Sequence, residues 1–151
     1  MKTFMLAAAL SVSVLGLNVS SAAAAEGVCM PVGGTALGQF FDEGSEVIGA
    51  MSGTFAATRG SVLSMDKTET GFALDMAHAF STARGGVVRT KDKIVLTRIE
   101  GMENEYALDI TYMVDETFGH LKGYTGSFNS FGRLNLATGE GLVRYSGQIC
   151  K

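Results

Sequence analysis

The chain has no tryptophan, one proline, two cysteines and two histidines among its 151 residues. Each scarcity removes a class of explanation. With only His78 and His120, a single chain cannot assemble a multi-histidine metal site. The cysteines, Cys29 and Cys150, have no His or Cys beside them and make a poor metal centre. The close Cys-x-x-Cys pair of a redox catalyst is missing too. Lysine and arginine never form a run, and the formal charge is −3, so no nucleic-acid footprint is expected. There is neither a Gly-x-Ser-x-Gly elbow nor a phosphate loop ending in Gly-Lys-Ser/Thr. These absences leave no metal, no cofactor and no catalytic residue to assign.

What is present describes a folded domain. Hydrophobic residues make up 46% and charged residues 18%, a balance that supports one buried core and argues against disorder. Residues 1–25 read as a removable signal peptide. Lys2 supplies the positive start, Phe4 to Leu17 the apolar stretch, and Ala23-Ala24-Ala25 the small residues of a cleavage site. No apolar run reaches the roughly 20 residues of a membrane span, so no insertion is expected once the signal is gone. Glu26-Gly27-Val28 before Cys29 lacks the small-residue pattern of a lipoprotein site. The expected product is one domain, residues 26–151, exported to the periplasm or medium of a bacterium. In that oxidising setting Cys29 and Cys150 are expected to form a disulfide that brings the first and last strands together.

The mature part reads as strands and turns. Tyr106, Leu108, Ile110, Tyr112 and Val114 alternate with Asp109 and Thr111, the pattern of a half-buried strand. Gly86–Arg89 and Ile94–Ile99 read as a hairpin around a Thr90-Lys91-Asp92-Lys93 turn. Leu136 to Gly141 reads as a turn between a run with Phe128 and Leu134 and a run with Val143, Tyr145 and Ile149. Gly38–Phe41 and Gly53–Thr58 are earlier strand candidates. Phe72–Phe80 suits helix or strand by composition, and the flanking Gly71 and Gly85-Gly86 favour strand. Spacings of 8 to 15 residues, with Gly126, Gly132 and Gly147 inside strands, point to an all-β sandwich or barrel. The expected architecture is a single antiparallel barrel of about eight strands.

His78 is the most informative polar residue. As part of a strand it shares a face with Phe72, Leu74, Met76 and Phe80, where an unpaired imidazole costs about 1–3 kcal/mol. It is either a hydrogen-bonded core residue or the polar group of an apolar cavity. The candidate ligand-binding set is therefore His78, Met76, Leu74 and Phe80, with Tyr106 and Tyr112 as neighbours. His120 sits in a glycine-flanked turn and is expected in water. The carboxylates Glu105, Asp109, Asp115 and Glu116 read as a solvated rim around a loop, without calcium-loop spacing.

Two stretches carry a resemblance. One is His78-Ala79-Phe80, Gly85 to Asp92 and Val95-Leu96-Thr97. The other runs Gly119-His120-Leu121-Lys122-Gly123-Tyr124-Thr125-Gly126, Leu136 to Gly141 and Tyr145 to Cys150. Together, over residues 72–150, they resemble small exported bacterial proteins with an allene-oxide-cyclase-like or dirigent-like barrel. Leu121 departs from the phenylalanine usual in that group, and Asp115-Glu116 from paired glycines. The resemblance implies an eight-stranded barrel with an apolar interior, and, since such proteins often associate, a homo-oligomer. It transfers no catalytic residue. Avidin-like and lipocalin-like barrels fit less well without tryptophan. The leading expectation is a protein that binds a small apolar ligand or acts as an envelope interaction module. A cyclase- or isomerase-like enzyme acting on a flexible apolar substrate is one alternative, and a structural barrel with a filled interior is another.

Overall fold

A computed structural model describes residues 27–151; the expected signal peptide and its cleavage site lie outside the described residues. Eight strands follow one another around a closed antiparallel barrel: β1 Cys29–Phe41, β2 Glu46–Gly53, β3 Ala57–Lys67, β4 Gly71–Ser81, β5 Val87–Arg98, β6 Glu105–Phe118, β7 Thr125–Asn135 and β8 Glu140–Cys150. Every strand is hydrogen-bonded to its sequence neighbours, and β1 closes on β8. Closure leaves no exposed sheet edge for another chain to extend. Cys29 and Cys150 are directly opposite in that last ladder and are joined by a disulfide.

Period-two burial organises the strands. In β4, Leu74, Met76, His78 and Phe80 are buried and the residues between them are half-buried, which settles this segment as strand. The glycines inside strands allow sharp bends and close approach. At Gly132 an added Cβ would lie 1.9 Å from the Leu142 carbonyl oxygen. Outside, the wall carries cross-strand ion pairs, among them Arg89–Glu116, Lys91–Asp115 and Arg133–Glu105.

Three local expectations are corrected. Val87–Arg98 is one strand, not a hairpin, because the alternation runs unbroken through the supposed turn. Thr90 and Asp92 are buried while Lys91 and Lys93 are exposed. Polar residues at inward positions had the look of a turn. Gly53–Thr58 is likewise not one strand: Gly53, at φ 91°, ends β2, and the chain turns before Ala57 so that Phe55 enters the barrel. Asp115 and Glu116 belong to no loop; they sit within β6, where the register with β5 shifts between Arg89 and Thr90.

The two ends of the barrel differ. At the end holding both cysteines, Phe55, Leu121 and Ile149 are at most 1% exposed and fill the opening. Phe55 packs its ring 5.1 Å from that of Phe80 and 5.7 Å from that of Phe128. Tyr145 locks this plug: its hydroxyl donates to the Ser52 carbonyl at 2.8 Å and accepts from the Phe55 N–H at 3.0 Å. The opposite end carries the turns after β1, β3, β5 and β7 and has no such plug.

Because the disulfide spans 121 residues of sequence, it constrains the unfolded chain strongly. Cys29→Ser with Cys150→Ser is expected to keep the barrel's circular-dichroism spectrum and lose stability, by up to about 4–5 kcal/mol in the chain-entropy account. Chemical denaturation of the double variant beside the oxidised parent measures the difference.

Candidate functional site

The open half of the interior owes its space to a mismatch between walls. β1 to β3 turn small residues inward, including Ala36, Gly38, Gly49, Thr58 and Gly60. The facing strands supply Leu74, Met76, Ile94, Leu108, Ile110 and Tyr112. Between them lies an apolar cavity of about 60 Å³. Next to it, at the unplugged end, is a mouth of about 480 Å³ lined by Phe40, Phe41, Met65, Phe72, Leu136 and Glu43. Phe40, Leu74, Leu96 and Leu134 line both spaces and stand between them.

Of the six candidate ligand-binding residues, Leu74, Met76, Phe80 and Tyr112 reach the cavity wall. Tyr106 does not; it is buried near the mouth, its ring 5.9 Å from that of Phe72. His78 also stays out of the cavity lining. It lies behind Phe80 and Tyr112, stacked on the first at 5.6 Å and edge-on to the second at 5.6 Å. Beneath the ring is Gly60, where an added Cβ would fall 2.4 Å from the His78 Cδ2. Only glycine at that position leaves room for the imidazole.

The partner of His78 is Asp92. Nδ1 donates to the Asp92 Oδ2 at 2.6 Å, with the Asp92 side chain fully buried. The other carboxylate oxygen, Oδ1, has no hydrogen-bond partner among the described residues, and neither do the hydroxyls of Thr90 and Thr58. Alongside, the Tyr112 and Ser130 hydroxyls share a bond at 3.1 Å. Burial pushes the Tyr112 phenol well above the ordinary tyrosine range; the Ser130 bond opposes the shift and the Asp92 charge adds to it. Asp92 was missed because it falls in the Thr90–Lys93 stretch that reads as a turn. The signal that could have found it was the inward parity of Val88, Thr90, Asp92, Ile94 and Leu96.

His120 is exposed, as expected of its turn. Asp109, Asp115 and Glu116 are exposed and Glu105 is half-buried; Lys91, Arg89 and Arg133 pair with Asp115, Glu116 and Glu105. Lys93 holds the Asp75 carboxyl below the usual range, Ser61 and Arg59 do the same for Glu46, and Asn135 and Arg133 for Glu105. On the same outer wall Leu37 stands directly opposite Leu142, and the two are 61% and 59% exposed.

Fold and site together define a class: an up-and-down eight-stranded barrel, plugged at its disulfide end, with an apolar inner cavity and an apolar mouth at the other. No protein-family model, no curated protein and no solved structure matches the chain.

Two predictions follow from the buried polar pair. His78→Ala and Asp92→Ala each strand one partner in an apolar interior, and each should cost about 3–5 kcal/mol. His78→Phe combined with Asp92→Leu removes both polar groups at similar volume and should lose far less. Thermal denaturation of the three variants tests this, and equal losses in all three would contradict it. The second concerns Tyr112. The folded state holds the phenol proton more tightly than the unfolded chain, so this stabilisation is intact below about pH 10 and fades as pH rises beyond it. Tyr112→Phe has no proton to lose. Its melting temperature should fall less steeply than the parent's between about pH 10 and 12.

Proposed function

We propose that this chain is an exported barrel that binds a small, largely apolar molecule end-on through its open mouth. The carrying observation is the half-filled interior: one end is closed by Phe55, Leu121 and Ile149, and the other holds an apolar mouth that shares its wall with an inner cavity. Ligand sites combine such concave apolar walls with a few polar groups. Here the mouth funnel of about 480 Å³ falls within the size of small-molecule sites, and the inner cavity extends it. The amino-terminal signal pattern and the disulfide support export, since such bonds persist in oxidising compartments. The resemblance to the allene-oxide-cyclase-like group supports the same reading.

A cyclase- or isomerase-like activity would need a proton-moving group facing the substrate. His78 and Asp92 stand behind the cavity wall, and Tyr112 holds its proton tightly, so binding is the better-supported function. A purely structural barrel would fill the space beside Ala36 and Gly38, where the cavity lies.

N-phenyl-1-naphthylamine, a neutral dye that brightens in apolar surroundings, tests the proposal. The parent protein should bind it saturably. The dye's rings are too large for the inner cavity and occupy the mouth, so Leu136→Asp, which puts a charge in the mouth wall, should weaken binding several-fold while keeping the barrel's spectrum. No saturable binding by the parent, or unchanged binding by Leu136→Asp, would overturn the reading.

A further inference from the structure

We propose that the mouth selects a single-chain amphiphile with a cationic head, an alkylamine in chemical class, over one with a carboxylate head. This inference rests on the binding function above and goes on to name the ligand class.

The charges of the molecule are sorted along the barrel axis. Around the wall they are neutralised across strands, as Arg59–Glu46, Lys93–Asp75, Lys91–Asp115, Arg89–Glu116 and Arg133–Glu105. The ends are not neutralised in this way. The turns and strand ends around the open mouth hold Asp42, Glu43, Asp66, Glu69, Glu100 and Glu103 against Lys67 and Arg98. None of those six acids is in an ion pair among the described residues. Among the described residues, the plugged end carries the side chains of Arg84, Lys122 and Lys151 and no acidic side chain in its turns. The negative pole of the described residues therefore coincides with the unplugged end.

The head of a bound amphiphile stays at the mouth while its chain enters the apolar interior. Glu43 is itself part of the mouth wall, among Phe40, Phe41 and Phe72. A cluster of one charge beside low-dielectric walls focuses its field on the opening, attracting a cation and repelling a carboxylate. Single exposed carboxylates act weakly in water, so the preference comes from the summed field and must weaken with salt. Space sets the rest of the ligand. The cavity of about 60 Å³ holds roughly four water-sized groups, room for the end of one unbranched chain and not for a ring system. The remaining chain occupies the wider mouth.

Displacement of N-phenyl-1-naphthylamine by decylamine, decanol and decanoate, each below its micelle concentration, tests the proposal. At low ionic strength decylamine should compete about tenfold better than decanoate, with decanol between, and about 0.5 M NaCl should close most of that gap. Glu43→Lys should narrow the gap several-fold, read as the ratio of the decylamine and decanoate constants within that variant, so that any change in dye affinity cancels. Decanoate competing as well as decylamine, or a gap that neither salt nor Glu43→Lys alters, overturns the proposal and leaves the binding function standing. Decylamine binding that persists undiminished in Ala36→Leu, where a larger side chain takes the cavity space, shows that no chain end enters the cavity and also overturns it. A parent protein that does not bind the dye overturns the binding function itself, a result distinct from the others.

Discussion

Closing eight strands on themselves determines the diameter of the interior before any side chain is chosen. A barrel of this size is about wide enough to be filled by its own residues. Whether it is filled then depends on the distribution of bulk around the ring. Here bulk is uneven in two directions. Along the axis, the aromatic group of Phe55, Phe80, Phe128 and Tyr145 crowds the disulfide end. Around the ring, glycine, alanine and threonine on β1 to β3 face large aliphatic residues on β4 to β7. The one-ended cavity follows from both asymmetries together.

The same constraint explains the polar pair. Once β4 and β5 are adjacent in the closed sheet, the inward parity of each strand turns His78 and Asp92 to the same interior, Asp92 diagonally across from His78, whose direct cross-strand neighbour is Thr90. Two ionisable groups there are expensive separately and tolerable together, because each satisfies part of the other's hydrogen-bonding capacity. Gly60 on the third strand is part of the arrangement, since its missing Cβ is the space the imidazole occupies. The pair is thus a feature of three strands, β3, β4 and β5. The orphaned Asp92 Oδ1 and Thr90 hydroxyl show that its polar needs are met only in part.

Much of the fold was legible in residue order. The alternation of Tyr106, Leu108, Ile110 and Tyr112, the turn at Thr138-Gly139 and the two cysteines led to an antiparallel barrel, and the structure has that form. The failures share one cause. Strand parity was read from apolar residues, so inward polar residues broke the pattern at Thr90 and Asp92, and an inward loop residue, Phe55, passed for part of a strand. Of the candidate site, the β4 face was legible because Leu74, Met76, His78 and Phe80 keep parity without interruption. The small-residue wall was not, since glycine and alanine carry no directional signal of their own.

What the sequence determined by itself is local and periodic: which segments are extended, which face of each is apolar, and that the two cysteines have only each other to pair with. These follow from spacing along the chain. Only the tertiary structure decided that Asp92 is the partner of His78, that Tyr106 stays outside the cavity wall, that one end is plugged, and that unpaired acids surround the other. Those facts depend on strands far apart in sequence meeting across the barrel, and on the sum of side-chain volumes within a closed ring. Spacing along one chain does not encode either quantity.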